Sequence, residues 1–288
     1  MTFIGTTRII GVFGYPVSHS LSPAMHNAAI ESAGLDMLYL PFSVEPSALS
    51  EAVSAIRVLN MVGVNLTIPH KESVMEYLDE ISDEARIIGA VNTVVNDKGQ
   101  LIGHNTDGRG YLQSVREEAG FNPEGKSIVI IGAGGAARGI INAIAGAGAA
   151  SIAIVNRTLP RAEGLAEEFK PLYPAVAITP LPLEGEELGR TLQAASLIVN
   201  TTSLGMKGKG SVDIDLEKVP NHAIVSDIVY NPRTTDLLRR AADLGLATHG
   251  GLGMLVCQGA LGFTLWTGYP APVAVMRSAA EEALGAGE

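Results

Sequence analysis

The sequence predicts an α/β protein with a parallel sheet and a nucleotide-binding turn, and three observations carry that prediction. Apolar runs of strand length alternate with helix-length segments through most of the chain. Lys126 to Thr158 reads as a complete strand, turn, helix and second strand, with Gly132, Gly134 and Ala137 in the G-x-G-x-x-G/A spacing. The 288 residues, 47% hydrophobic and 17% charged, suffice for two domains of the usual size and exclude a disordered chain.

In chain order, Arg8 to Phe13 is a β-branched strand that runs into the loop GYPVSHSLSP. Ser22 followed by Pro23 predicts a helix start, with the serine as N-cap, and Gly34 its stop. Met37 to Val44 and Met61 to Leu66 read as strands around a helix from Pro46 to Leu59, whose Leu49, Val53 and Ile56 share one face. NLTIPHKE reads as a strand end feeding a helix, and Ile81 to Ile88 as helical. Val91 to Val95 and Leu101 to Gly103 flank Asn96-Asp97-Lys98-Gly99, a hairpin signal. A helix from about Thr106 to Ala119 leads to Gly120, Asn122, Pro123 and Gly125, punctuation that marks the passage into a nucleotide domain.

Ser127 to Ile131 has no polar interruption, as expected of a strand covered on both faces of a parallel sheet. After the glycine turn and its helix, Ser151 to Val155 is the second strand. Helices at Pro160 to Phe169, Gly185 to Ala194 and Thr234 to Leu244 then alternate with strands near Val176 to Thr179, Ser196 to Thr201 and Ala223 to Ile228. Leu252 to Trp266 and Val273 to Leu284 read as amphipathic helices that return to cover the first domain.

A net charge of -10 and the lack of a basic stripe argue against nucleic acid as a partner. The start MTFIGTTRIIGVFG lacks a basic segment and a continuous apolar core, so no secretory signal is expected. Arg138, Asn142 and repeated glycines break the Ile128 to Val155 stretch, so no membrane span is expected either. The single Cys257 excludes an internal disulfide and a CxxC motif, in keeping with a cytoplasmic location. Six dispersed histidines without HExxH imply no metal, and no G-x-S-x-G elbow appears.

The glycine triplet alone serves equally for close packing of a helix on a sheet; its place inside a βαβ unit favours a dinucleotide. At the end of the second strand, where NAD sites commonly carry an acidic residue, stand Asn156, Arg157 and Thr158, with Arg161 one helical turn on. A guanidinium grips a 2′-phosphate that a carboxylate would repel, so the residues suggest NADP over NAD. The alternative for Arg157 is a solvated surface arginine.

Four further loops are polar beyond what packing needs: Ser18 to Ser22, Asn65 to Lys71, Asn92 with Asn105 to Asp107, and Asp227 to Thr234. Singly, Thr67 and Pro69 read as a helix start, Lys71 as solvent-exposed and Asp107 as a complement to a helix dipole. Together, SHSLSPAMHN, NLTIPHK, GAVNTV, NTDG, GAGGAAR, NRT, DIVYNPRTT and GGLGMLVCQ resemble, in order and spacing, the motifs of the shikimate dehydrogenase family over nearly the whole chain.

The resemblance implies an N-terminal α/β substrate domain over residues 1–105 and 250–288, and a Rossmann NADP-binding domain over 106–249. It implies NADPH-dependent reduction of 3-dehydroshikimate to shikimate, with Lys71 and Asp107 as the catalytic pair. Ser20, Ser22 and Tyr230 would hold the substrate carboxylate, and Thr67, Asn92 and Gln258 its ring hydroxyls. Gly132, Gly134, Gly135 and Ala136 would meet the pyrophosphate, with Asn156, Arg157 and Thr158 at the adenosine phosphate, where Arg161 could join by its spacing, and Thr202, Gly251 and Met254 near the nicotinamide. A family member favouring quinate and a non-catalytic NADP sensor are the alternatives, and the sequence leaves open whether the chain forms a homodimer.

Overall fold

The computed structural model describes residues 4–286. The chain divides into two compact units, Met1–Gly110 with Val256–Glu288, and Tyr111–Leu255.

The first unit begins with β1 (Arg8–Gly14), α1 (Ser22–Ser32), β2 (Met37–Ser43), α2 (Leu49–Val58) and β3 (Gly63–Leu66). It continues through β4 (Glu80–Ile81), α3 (Asp83–Ile88), β5 (Thr93–Asp97) and β6 (Gln100–His104). The strands form one sheet in the order β2-β1-β3-β5-β6-β4. β1 runs parallel to β2 and β3, whereas β5 is antiparallel to β3 and β6. The antiparallel β5–β6 pair follows from the hairpin at Lys98 (φ 53°) and Gly99 (φ 96°), two left-handed residues that match the twist of a tight turn. It brings the carboxyl ends of β1, β3 and β6 to the same edge as the amino end of β5. Asn65 then pairs with Thr93, and Thr93 with His104.

Beneath this edge Phe13, Leu49, Val53, Ile56, Val64, Leu66, Val94 and Leu101 form a core. At roughly 1.5–3 kcal/mol for each large side chain, this burial anchors the strand ends that carry the polar loops. The helix expected from Pro46 opens as a 3-10 turn, Pro46–Ala48, before α2. Ser22 is the first residue of α1 rather than its N-cap, which is Leu21. No helix follows β3 at once: Thr67 N donates to Phe13 O and Ile68 O accepts from Tyr15 N, so this backbone is engaged by the first strand and its loop. The next helical turn is a 3-10 segment, Ser73–Tyr77.

The division at Gly110 falls within α4 (Asp107–Ala119), so the later turns of that helix and the loop through Gly125 belong to the second unit. There the chain runs β7 (Ser127–Ile131), α5 (Gly135–Gly146), β8 (Ser151–Val155), α6 (Leu159–Phe169) and β9 (Ala177–Leu181). It proceeds to α7 (Glu186–Gln193), β10 (Leu197–Asn200), β11 (Ile224–Asp227), α8 (Asp236–Asp243) and β12 (Ala247–His249). All six strands are parallel, in the order β12-β11-β10-β7-β8-β9. This is the doubly wound Rossmann order, with its reversal between β7 and β10. One face of the sheet is covered by Tyr111, Ile140, Ile144, Leu165 and Phe169, the other by Leu188, Leu192, Leu237 and Leu238.

The chain ends in α9 (Gly251–Thr267) and α10 (Val273–Gly285). α9 is buried on most sides instead of amphipathic. In the first unit Gly259 lies against Met25, and Trp266 Nε1 donates to Val94 O at 2.9 Å. α10 packs on α1 through a stripe of Met276, Ala280 and Leu284. Among the described residues, no helix is long and apolar enough to cross a membrane, and no group of His, Cys, Asp and Glu could hold a metal ion.

Candidate active site

At the shared strand edge of the first unit, Lys71 Nζ lies 2.6 Å from Asp107 Oδ2. The lysine follows the turn after β3; the carboxylate begins α4, where Asn105 Oδ1 accepts from Asp107 N at 3.0 Å. The Lys71 side chain is 19% exposed and that of Asp107 5%, so one end of the pair reaches solvent while the other is fixed inside. A charge-assisted bond in such a place is short and directional.

Asn92 supports the pair. Its Nδ2 donates to Asp107 Oδ1 at 2.8 Å and to Thr106 Oγ1 at 2.9 Å, with Gln258 Oε1 at 3.3 Å. Its Oδ1 accepts from Thr106 N at 2.9 Å and from Thr93 Oγ1 at 3.0 Å. Behind it, Asn65 Nδ2 donates to Asn92 O and Thr93 Oγ1, both at 3.1 Å, and Asn65 Oδ1 accepts from Tyr39 OH at 2.7 Å. Burial raises the Tyr39 pKa, an effect partly offset by a hydrogen bond from Ser22. Ser22 N in turn donates to Ser20 Oγ at 3.3 Å.

The structure thus links Lys71, Asp107, Asn92 and Gln258 through one hydrogen-bonded cluster and joins Ser22 to it through Tyr39 and Asn65. Thr67 is half-buried in the turn before Lys71, where its carbonyl accepts from His70 N at 2.9 Å. Thr93 and Tyr39 were not among the residues expected here. A threonine and a tyrosine inside strands read as ordinary strand formers, and only the cross-strand register reveals their partners.

In the second unit, Gly132 follows β7 at φ 115°, a conformation suited to glycine, and a Cβ there would stand 2.5 Å from Thr201 Oγ1. Thr201 N and Oγ1 both donate to Ile131 O at 2.8 Å, tying the ends of β7 and β10 at the point of strand reversal. Gly134 is exposed, and a Cβ there would meet nothing within 4 Å. Open space therefore faces the start of α5 at Gly135 and Ala136, where free amides and the helix dipole favour an anion. The first glycine is a packing glycine; the second leaves an approach to backbone.

Asn156 Nδ2 donates to Thr158 O at 2.8 Å, shaping the turn after β8, while Arg157, Thr158 and Arg161 are exposed. Thr202 Oγ1 donates to Asn200 Oδ1 at 2.7 Å and accepts from Leu204 N. Asn200 also reaches Asp227 Oδ1 at 2.9 Å, and burial raises the pKa of that carboxyl. Tyr230 is half-buried beyond β11. Gly251 is required by packing, since a Cβ would fall 2.1 Å from Ile228 O, and Met254 is buried in the core.

A Rossmann sheet with an open glycine turn, together with another α/β unit holding a lysine–carboxylate pair, defines the class of the protein as a two-unit α/β protein of the dinucleotide-binding type. Comparison with known proteins makes this specific. Residues 12–94 match the shikimate dehydrogenase substrate binding domain, 115–229 the shikimate / quinate 5-dehydrogenase model and 251–281 the shikimate 5'-dehydrogenase C-terminal domain. A shikimate dehydrogenase (NADP(+)) of Geobacter sulfurreducens is 44% identical over 284 residues, 99% of each chain. A crystal structure of a shikimate dehydrogenase in complex with NADP+ is 39% identical, with a TM-score of 0.90 over 98% of this chain and 97% of that one. A ligand-free 5-ketofructose reductase of Gluconobacter sp. strain CHM43 is 36% identical, with a TM-score of 0.87 over 97% and 99% of the two chains. The chain belongs to the shikimate dehydrogenase family.

Proposed function

We propose that this chain catalyses the reversible NADPH-dependent reduction of 3-dehydroshikimate to shikimate, with Lys71 and Asp107 as its acid–base pair. The observation that carries the proposal is the 2.6 Å contact between these two groups at the polar strand edge. NADPH, when bound, supplies a hydride to the substrate's carbonyl carbon. Lys71 stabilises the negative charge that develops on the carbonyl oxygen and donates the proton that completes the alcohol. Asp107 orients the Lys71 ammonium, and Asn92 holds Asp107.

The first unit takes the substrate. Ser20 and Ser22 hold the carboxylate, while Thr67, Asn92 and Gln258 bind ring hydroxyls. The second unit suits the cofactor: open space at Gly134 leaves the amides of Gly135 and Ala136 free for a pyrophosphate beside Gly132. Asn156, Arg157, Thr158 and Arg161 take the adenosine phosphate, and Thr202, Gly251 and Met254 line the nicotinamide end. The motif match carries these assignments; local geometry adds the open space at Gly134 and the exposure of Arg157, Thr158 and Arg161, whereas Gly251 and Met254 are closely packed and stand on the motif match alone.

Family members bear different substrate names, so the test compares initial rates with shikimate and quinate, each with NADP and NAD. Shikimate with NADP is expected to have the highest kcat/KM; no turnover in any combination would remove the enzyme reading. Arg157→Ala should raise KM for NADP about 10- to 150-fold, the equivalent of about 1.5–3 kcal/mol for a lost charged hydrogen bond, with little change for NAD. Equal losses with both cofactors would refute the phosphate role.

A further inference from the structure

We propose that Thr93 is a positioning residue for the catalytic pair: its buried hydroxyl fixes which end of the Asn92 amide faces Asp107. The proposal rests on the reading of Lys71 and Asp107 as the acid–base pair. The two ends of an asparagine amide have nearly the same shape, so hydrogen-bond partners decide its orientation. Here the partners settle it from both sides.

Asn65 Nδ2 donates to Asn92 O, a carbonyl that can only accept, and its Oδ1 accepts from Tyr39 OH at 2.7 Å. The Asn65 amide is thereby fixed, with its NH2 group also toward Thr93 Oγ1 at 3.1 Å. Thr93 has one hydroxyl proton, which it gives to Asn92 Oδ1 at 3.0 Å. Thr106 N, a donor only, points at the same oxygen at 2.9 Å. Asn92 must then present Nδ2 to Asp107 Oδ1, 2.8 Å away. Reversed, it would set an oxygen against a carboxylate, leave the buried Thr106 N–H facing an NH2 group and take from the Thr93 hydroxyl proton its acceptor.

The resulting chain of donors runs one way, from Tyr39 through Asn65, Thr93 and Asn92 to Asp107. Tyr39 and Thr93 are both fully buried and Asn65 and Asn92 nearly so, which makes each link costly to leave unmade. Register supplies the arrangement, because β3 and β5 place Asn65 opposite Thr93. Thr93 touches no reacting group on this scheme; it acts through Asn92.

The test replaces the hydroxyl while keeping the shape. Thr93→Val should lower kcat about 10-fold, which corresponds to about 1.4 kcal/mol, with KM for NADP unchanged. Thr93→Ser, which restores a hydroxyl, should recover most of it. In an Asn92→Ala background Thr93→Val should have little further effect, since the two act in series. A readout independent of turnover is the solvent exchange of the Asn92 side-chain amide protons by NMR. These should be protected in the parent and in Thr93→Ser, and exposed in Thr93→Val.

Protection unchanged in folded Thr93→Val, absence of protection in the parent, or a kcat loss that multiplies with Asn92→Ala would each overturn the proposal. Should Thr93→Val not fold, Tyr39→Phe tests the chain from its far end, because it removes the donor to Asn65 while the ring still stacks on His26 at 4.4 Å. Asn92 protection unaltered in that variant would likewise overturn it. A parent that turns over no substrate would instead remove the catalytic reading and leave the NMR result to decide the role of Thr93.

Discussion

Removing Lys71 and neutralising Asp107 should have different effects on stability but similar effects on turnover. Lys71→Met leaves a carboxylate whose side chain is 5% exposed without its counter-ion. Breaking a fully buried pair costs about 3–5 kcal/mol; the 19% exposure of Lys71 and the remaining Asn92 donor reduce this to about 2–3 kcal/mol. Asp107→Asn strands the lysine instead, which can turn toward water, so it should cost about 1 kcal/mol. Urea unfolding followed by tryptophan fluorescence reads this directly, because the single tryptophan, Trp266, is buried in the same unit as the pair. With a slope of about 2–3 kcal/mol per M, Lys71→Met should shift the midpoint by about 1 M. Both variants should lower kcat by about 10²- to 10⁴-fold, and the double variant by much less than the product of the two. Folded Lys71→Met with kcat within a few-fold of the parent would refute the catalytic role. An unchanged urea midpoint would refute the buried pair.

Two further outcomes follow from burial. His26 is held neutral by burial, with a pKa pushed down to about 3, against about 6.5 in an unfolded chain. The unfolded state therefore binds a proton that the folded state lacks, so this contribution is fully present above about pH 6.5 and is lost as pH falls toward about 3. At pH 4.5 the loss should be roughly 3 kcal/mol, and His26→Phe should flatten the slope of unfolding free energy against pH; an unaltered slope would disprove the assignment. The glycines make the second test: Gly251→Ala sets a Cβ 2.1 Å from Ile228 O and should cost at least about 3 kcal/mol in thermal unfolding by circular dichroism. Gly134→Ala meets nothing within 4 Å, so it should stay within about 0.5 kcal/mol of the parent yet weaken NADP binding; the reverse pattern would make Gly134 the packing residue.

The second unit was the more legible in the sequence, because a parallel sheet covered on both faces writes itself as uninterrupted apolar strands such as Ser127–Ile131. The three-residue β12 and two-residue β4 escaped notice, being too short to show a period. The antiparallel β5–β6 pair was foreshadowed by Lys98-Gly99, a turn signal with its own backbone cause. The sequence suggests an amphipathic α9 because of its few polar residues, whereas Gln258 packs against the backbone at Gly110 and Gly259 against the side chains of Met25 and His26. Gly110 shows this most closely: a Cβ there would lie 2.5 Å from Gln258 N.

At the site, polar loops stood out one by one, but their convergence depends on register, which side-chain pattern alone does not reveal. The two proposed binding sites also differ in how they are held. The substrate edge consists of buried side chains whose donors and acceptors are tied together across strands, so changing one member leaves another unsatisfied. The cofactor turn instead offers exposed backbone at Gly134 and exposed side chains at Arg157, Thr158 and Arg161. Altering those groups removes a ligand contact without opening the core. On this reading, preference between NADP and NAD can shift by surface substitution at small cost in stability, whereas a change at Asn92, Thr93 or Asp107 disturbs folding and catalysis together. The same physical difference explains why the glycine turn is recognisable from a short motif, while the substrate edge takes shape only when β3, β5 and β6 are brought into register.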